Sequence, residues 1–159
     1  MINITKDLPP LGHIGYIVAN REIAVEKLRK LLGITDFILY DFVPQKAWVK
    51  GRQIEDCRLR IAAGQLKGNV KVEIIEPVSA STPHEEFLSQ KGPALHHIAF
   101  YSDRYEEWRE YFKGQGAVFT FEMEAEDETI GYRRSFYAEI DGFEGTFEIT
   151  EIARKRNHS

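Results

Sequence analysis

A short motif that begins with histidine occurs once in each half of this 159-residue chain. A His-Ile-Gly motif starts at His13, and a His-Ile-Ala motif starts at His97. Each is followed by a glutamate inside an apolar run, Glu73 in the first half and Glu148 in the second. Two neutral imidazoles and two carboxylates form a ligand set for a divalent metal ion. The repetition therefore predicts two matching half-sites.

Each of these residues also has an ordinary structural interpretation. A histidine in an apolar strand is more often a hydrogen-bonded core residue than a ligand, and a strand glutamate usually faces solvent. However, a buried carboxylate without a partner is costly, and Glu73 and Glu148 stand at matching positions of the repeat. We therefore favour metal ligation by all four side chains.

The hydrophobic pattern predicts the elements that position these residues. Each half has the order βαβββ, with Asn20 and Asp103 as candidate N-caps of the two helices and glycines after their last turns. Strands are predicted at residues 11–19, 37–42, 57–62 and 70–75, and then at 94–101, 117–122, 133–140 and 146–149. The first half contains extra residues, which we place around residues 44–55.

This pattern divides the chain into two modules. The first is predicted at residues 9–78, and the second at residues 94–152. A linker with a short helix joins them over residues 79–93, and a flexible basic tail follows at 153–159.

Strand alternation predicts which side chains share a face with each histidine. Because successive strand residues point to opposite faces, His13 shares its face with Gly15, and His97 with Ala99. These small neighbours would leave room for a metal and a substrate.

Composition excludes several classes of protein. The formal net charge is -4, and no basic stripe indicates nucleic-acid binding. Cys57 is the one cysteine, so no disulfide can form within the chain. The sequence has neither a signal-peptide pattern nor an apolar run of about 18 residues. We expect a cytoplasmic protein that binds neither nucleic acid nor membrane.

The order His, Glu, His, Glu on paired βαβββ modules resembles the vicinal oxygen chelate superfamily, which includes glyoxalase I, methylmalonyl-CoA epimerase, extradiol dioxygenases and bleomycin-binding proteins. The resemblance covers about residues 11–152. Its strongest local part, residues 72–77 and 95–100, is similar to the methylmalonyl-CoA epimerase group. The resemblance implies an α+β fold in which the two modules form a curved, half-open mixed sheet around a metal site.

The resemblance also implies roles for individual residues. His13, Glu73, His97 and Glu148 would bind one divalent ion, which could be Zn, Co, Mn, Ni or Fe. His96 would face away from the metal, as an ordinary core histidine or as a neighbour of a ligand.

Two glutamates are candidates for proton transfer by the same resemblance. Glu148 would move a proton beside the metal, as the last ligand does in some members. Glu55 is the nearest match to a second base in the epimerases. The chain departs from the epimerase pattern around Glu55, and its alternative is a solvent-facing charge at the end of a loop.

The residues that would bind a substrate are predicted at positions where the chain again departs from the epimerase pattern. Arg133 or its neighbour Arg134 would suit a carboxylate or phosphate, although an exposed strand arginine paired with glutamates is the ordinary alternative. Trp48 would line an apolar pocket together with the aromatic residues Phe119, Phe121, Phe136 and Tyr137, most of which are equally suited to the core.

These observations favour a metal-dependent epimerase, isomerase or lyase that abstracts a proton next to a carbonyl or thioester, in the manner of methylmalonyl-CoA epimerase. The substrate would be a small molecule, an acyl-CoA, a thioester or an oxo acid, and the protein would form a homodimer. A glyoxalase I-type lyase and a non-catalytic small-molecule or antibiotic-binding protein are the alternatives. Dioxygenase chemistry is less favoured because it uses two histidines and one carboxylate.

Overall fold

The computed structural model describes residues 1–127 and 131–152, so the predicted basic tail at 153–159 lies outside the described residues. The helices are α1 (Ile4–Asp7), α2 (Arg21–Leu32), α3 (Pro83–Lys91) and α4 (Tyr105–Gly114). The strands are β1 (Leu11–Ile17), β2 (Ile38–Phe42), β3 (Lys46–Val49), β4 (Arg52–Ile54), β5 (Leu59–Gln65), β6 (Lys71–Pro77), β7 (Ala94–Tyr101), β8 (Val118–Asp127), β9 (Gly131–Glu139) and β10 (Thr146–Ile152). This order confirms an α+β fold with βαβββ in each half, interrupted in the first half by β3 and β4.

Helix α2 begins and ends at the residues that its sequence predicts. The Asn20 side chain accepts a hydrogen bond from the Ile23 backbone N–H at 3.0 Å. Gly33 adopts a left-handed conformation with φ of 68°, and its N–H donates to the Arg29 carbonyl. Helix α4 differs, because Arg104 and not Asp103 occupies its N-cap position. The prediction of Asp103 as a cap was therefore wrong by one residue.

The extra residues of the first half form a β-hairpin. Strands β3 and β4 are joined by Lys50 and Gly51, whose φ angles of 49° and 80° are both positive. Positive φ at both central residues is the signature of a type I′ turn, whose twist matches that of the flanking strands. Gly51, between two short polar–apolar runs, is the sequence signal that could have indicated this hairpin.

One compact unit comprises Gly12–Val43 and Asp56–Ile98; we call it the α2 unit. Its strands lie in the order β2-β5-β6-β1, with the first part of β7 beside β1. Strand β1 pairs with β6 in parallel, and β5 pairs with both β2 and β6 in antiparallel fashion. Val25 of helix α2 is part of a buried core that also contains Val18, Ile34, Ala62, Val72 and Ile74.

The other compact unit comprises Met1–Leu11, Pro44–Glu55 and the described residues from Ala99 onward; we call it the α4 unit. Its strands follow the order β10-β9-β8-β3-β4, all antiparallel. Tyr105 and Trp108 of helix α4 form a core with Phe136, Ala138 and Ile149 of the sheet. Each unit is discontinuous in sequence, and the module boundaries predicted from the repeat stay a prediction.

Among the described residues, no helix is both long enough and apolar enough to span a bilayer.

Candidate metal centre

Three strands of the α2 unit bring His13, Glu73 and His97 together. His13 lies on β1 and Glu73 on β6, and the parallel register of these strands sets Gly15 of β1 opposite Glu73. His97 lies on β7, the neighbour of β1 on its other side. The potential ligand atoms of the three side chains all lie within 4.8 Å of one another. Residues that are far apart in sequence thus form one donor cluster.

The distances within this cluster suit a metal ion. The Nε2 atoms of His13 and His97 are 3.1 Å apart. The Glu73 Oε1 atom lies 3.7 Å from His13 Nε2 and 3.5 Å from His97 Nε2. Ligand atoms bound at about 2.1 Å to one ion are roughly 3.0 to 3.4 Å apart for octahedral or tetrahedral angles. The cluster therefore needs only small shifts to hold an ion.

Charge and burial also favour binding of a cation. Both imidazoles are buried, and the Glu73 side chain is 18% exposed. Burial alone would raise the pKa of the Glu73 carboxyl, but the adjacent His13 and His97 imidazoles outweigh this effect and lower that pKa. Glu73 is therefore an anionic oxygen donor at neutral pH, as a metal ligand must be.

The small residue next to His13 has a specific structural role. A Cβ atom built on Gly15 would lie 2.0 Å from Cε1 and 2.2 Å from Nε2 of His97. The room that the sequence predicted for a metal and a substrate is thus occupied at Gly15 by the His97 ring. Glycine on β1 is what lets this imidazole reach the cluster.

Two further histidines extend the cluster. The His96 Nδ1 atom lies 2.9 Å from His97 Nδ1, and the His96 ring contacts the rings of Phe87 and His84 on α3. Burial, together with the nearby His97 and His84, lowers the pKa of His96 to about 2. His96 is therefore neutral at physiological pH.

His84 was not among the site residues predicted from the sequence. It is fully buried near the start of α3, where the Thr82 side chain accepts from the Glu85 N–H at 3.3 Å. The Thr-Pro pair before His84 is a helix-start signal. This signal indicated that His84 lies in the first turn of a helix that precedes the second histidine motif.

Glu148 lies in the α4 unit. It stands on β10 opposite Tyr137 of β9, and it is buried. Its Oε1 atom accepts a hydrogen bond from the Thr150 hydroxyl at 2.9 Å, which orients the carboxylate. Its roles as fourth ligand and as proton carrier stay predictions.

The face of the sheet distinguishes the two candidate arginines. Arg134 lies on the α4 side, where it forms ion pairs with Glu106 and Glu151 and stacks over the Tyr105 ring. Alternation along β9 places Arg133 on the other face, together with Tyr137. Since Tyr137 is the register partner of Glu148, Arg133 and Glu148 share a face.

Trp48 and Glu55 do not lie on the sheet face that carries Glu148 and Arg133. Trp48 is paired in register with Glu122, whose carboxylate binds Arg109 of α4 at 2.7 Å. Trp48 therefore lies on the α4 face, opposite to the face of Glu148. Glu55 is exposed directly after β4. Their roles toward a substrate stay predictions.

Most of the other aromatic candidates belong to the α4 core. Phe119 and Phe136 pack edge to face at 5.2 Å beneath α4. A register shift between Phe119 and Phe121 turns Phe121 to the opposite face, where it contacts Tyr137. Phe121 and Tyr137 are thus the aromatic candidates on the face of Glu148.

Comparison with known proteins places this arrangement in a family. The sequence pattern of the glyoxalase/bleomycin resistance protein/dioxygenase superfamily matches residues 12–133. An uncharacterized protein of Bacillus subtilis strain 168, YqjC, is 34% identical over 90 residues, which are 57% of this chain and 55% of that protein. The chain thus spans about half the length of this curated relative.

Solved structures with the same fold include methylmalonyl-CoA epimerases. The crystal structure of the Mycobacterium tuberculosis epimerase superposes with a TM-score of 0.69 and 21% identity, over 97% of this chain and 95% of that one. A Streptomyces coelicolor epimerase variant in complex with 2-nitronate-propionyl-CoA has a TM-score of 0.66 and 16% identity, over 93% of this chain and all of that one. At these identities the similarity concerns the fold. Together with the matched sequence pattern, it confirms the resemblance: the chain belongs to the glyoxalase/bleomycin resistance protein/dioxygenase superfamily.

Proposed function

We propose that this protein is a divalent-metal-dependent enzyme that removes a proton from the carbon next to a carbonyl or thioester, acting as an epimerase, isomerase or lyase. The observation that carries the proposal is the convergence of His13, Glu73 and His97, with donor atoms 3.1 to 3.7 Å apart. Imidazole and carboxylate donors suit Zn, Co, Mn, Ni and Fe. Glu148 is proposed as the fourth ligand because it occupies the repeat position of Glu73.

The metal would supply Lewis-acid stabilisation of negative charge that develops on a carbonyl oxygen. The residues of the chain would supply the rest of the chemistry. We propose that Glu148, held by Thr150, moves the proton. Glu55 is proposed as a second base on the family resemblance alone, since it is exposed at the end of β4.

The proposed substrate is a small acyl-CoA, thioester or oxo acid. Two observations support this class. Structures with the same fold include epimerases, one of them in complex with an acyl-CoA analogue. In addition, Arg133 lies on the same sheet face as Glu148, and a guanidinium pairs well with a carboxylate. Trp48, on the other face, is the weaker substrate candidate. We also propose that the protein is a cytoplasmic homodimer.

Two measurements test the proposal. Protein purified without chelator is analysed for bound metal, and we expect close to one divalent ion per chain. The metal-loaded protein is then incubated with methylmalonyl-CoA in heavy water, and deuterium at the α-carbon is followed by mass spectrometry. We expect exchange that EDTA abolishes and that Zn, Co or Mn restores.

The outcomes separate the candidate functions. Clearly substoichiometric metal, with no activity restored by added ions, would rule out the enzyme and favour a binding protein of the same fold. Stoichiometric metal without exchange would remove the epimerase assignment. Thioester formation from the glutathione hemithioacetal of methylglyoxal, measured in parallel, would then assign a glyoxalase I-type lyase.

A further inference from the structure

The His97 ring contacts a histidine nitrogen at each end. Its Nε2 atom lies 3.1 Å from His13 Nε2, inside the donor cluster. Its Nδ1 atom lies 2.9 Å from His96 Nδ1, outside that cluster. The 3.1 Å distance is that expected between two ligand atoms of one ion, which both offer lone pairs. The 2.9 Å distance is that of a hydrogen bond, so the contact between the two Nδ1 atoms needs one protonated and one unprotonated nitrogen.

The position of the N–H hydrogen on each ring follows from the number of protons that a neutral imidazole carries. A neutral imidazole carries one N–H, and a nitrogen that binds a metal must offer its lone pair. If His97 binds through Nε2, its proton is on Nδ1, which donates to His96. The His96 Nδ1 atom is then the acceptor, and the His96 proton is on Nε2.

We propose that His96 is a positioning residue, which holds His97 in the Nδ1–H tautomer and so presents the Nε2 lone pair to the metal. This inference rests on the proposed function, because it takes His97 as a metal ligand. Carboxylates, carbonyls and waters are the usual acceptors behind a metal-bound histidine. In this protein a second imidazole takes that place.

The surroundings of His96 suit this role. Its side chain is buried, with the Phe87 ring at 4.8 Å and the His84 ring at 5.9 Å between centroids. Both neighbours belong to α3, so this helix fixes the orientation of the His96 ring. A neutral acceptor at this buried place also avoids a further charge next to the donor cluster.

The His97 ring has little freedom to escape this contact. It lies against Gly15, at the place where any larger residue would put its Cβ atom. Rotation of the ring would therefore both break the hydrogen bond to His96 and move Nε2 out of the cluster. The contacts with His96 and His13 thus determine the position of the ring and its tautomer at the same time.

Nuclear magnetic resonance tests the tautomers without any metal. Protein labelled with ¹⁵N-histidine, stripped of metal, is examined by long-range ¹H–¹⁵N correlation. We expect a protonated Nδ1 and an unprotonated Nε2 for His97, and an unprotonated Nδ1 for His96. A protonated Nε2 on His97, with His96 Nδ1 as the donor, would overturn the inference.

Two substitutions test the consequence for metal affinity. His96→Asn keeps an acceptor near the Nδ1 position, whereas His96→Phe keeps a ring and removes the acceptor. The dissociation constant for Zn²⁺ is measured by competition with a chromophoric chelator. For His96→Phe we expect affinity to fall by roughly 10- to 100-fold, the usual effect of losing a supporting partner. His96→Asn should stay close to the unsubstituted protein.

Controls separate this inference from folding and from the proposed function. Circular dichroism and thermal unfolding in EDTA check that each variant is folded, and Leu95→Ala changes an exposed neighbour on β7. A folded His96→Phe protein with unchanged affinity would overturn the inference. If the unsubstituted protein binds no Zn²⁺, the proposed function fails, while the metal-free tautomer measurement still decides the arrangement of protons.

Discussion

At the level of single side chains, the contact between Gly15 and His97 is the tightest constraint on the donor cluster. We predict that Gly15→Ala abolishes metal binding, because the new methyl group would overlap the imidazole. Overpacking of this kind also destabilises a fold by about 1–3 kcal/mol. Zn²⁺ titration and urea unfolding measure the two effects.

The matched control for this substitution is Gly114→Ala at the end of α4. There, a Cβ atom would meet open space within 4 Å among the described residues. Metal affinity should be unchanged, and stability unchanged or higher, because alanine favours a helix more than glycine does. Normal Zn²⁺ binding by Gly15→Ala would contradict the packing argument.

Removal of the Glu73 charge tests the cluster directly. Glu73→Gln keeps the size of the side chain but replaces an anionic oxygen donor by a neutral amide. Zn²⁺ affinity, measured by calorimetry, should fall by more than the roughly 10- to 100-fold expected for a supporting residue. Glu26→Gln, at an exposed position on α2, should bind Zn²⁺ normally. Equal affinities of the two variants would remove Glu73 from the ligand set.

The thiol of Cys57 should be inert in the folded protein. Burial and the neighbouring Asp56 raise its pKa to about 11, so at about pH 8 only on the order of one thiol in a thousand is the reactive thiolate. We expect very slow alkylation by iodoacetamide, followed by mass spectrometry, and rapid alkylation in urea. Fast labelling of the folded chain would show that Cys57 is accessible.

Among the elements, helix α2 has the clearest local determinants. Asn20→Ala removes the side-chain acceptor for the Ile23 N–H, which should destabilise the protein by about 1 kcal/mol. Asn20→Asp keeps an acceptor and should be close to neutral. Chemical denaturation compares the two variants. An equal loss of stability in both would indicate that the cap contributes through something other than this hydrogen bond.

The elements also show where local sequence is sufficient and where it fails. Caps and glycine stops at Asn20 and Gly33 are local, so α2 could be predicted closely. The β3–β4 hairpin was not predicted because its strands are too short to show a hydrophobic period. Strand β3 also depends on hydrogen-bonded pairing with β8. Such pairing is a contact distant in sequence, which propensity does not encode.

For the complete chain, metal binding should appear as added stability. A ligand that binds only the folded state, present at a free concentration of about 100 times its dissociation constant, adds about 2.7 kcal/mol to the free energy of unfolding. We therefore expect Zn²⁺ to raise Tm and EDTA to reverse the increase. Glu73→Gln should show a much smaller shift. A Tm that is insensitive to every divalent ion would contradict the proposed metal centre.

The repeated βαβββ order could be predicted from the amino-acid sequence, because hydrophobic period is a property of short segments. Side-chain chemistry likewise singled out His13, Glu73 and His97 as candidate ligands, whereas the role of Glu148 stays a prediction. The pairing that brings His13, Glu73 and His97 together depends on strand register, which contacts between β1, β6 and β7 determine. For the same reason the contacts of Gly15 and His96 with the His97 ring are seen only in the folded chain. Gly15 is small because an imidazole 82 positions further along the chain lies against it, and no local pattern specifies that contact.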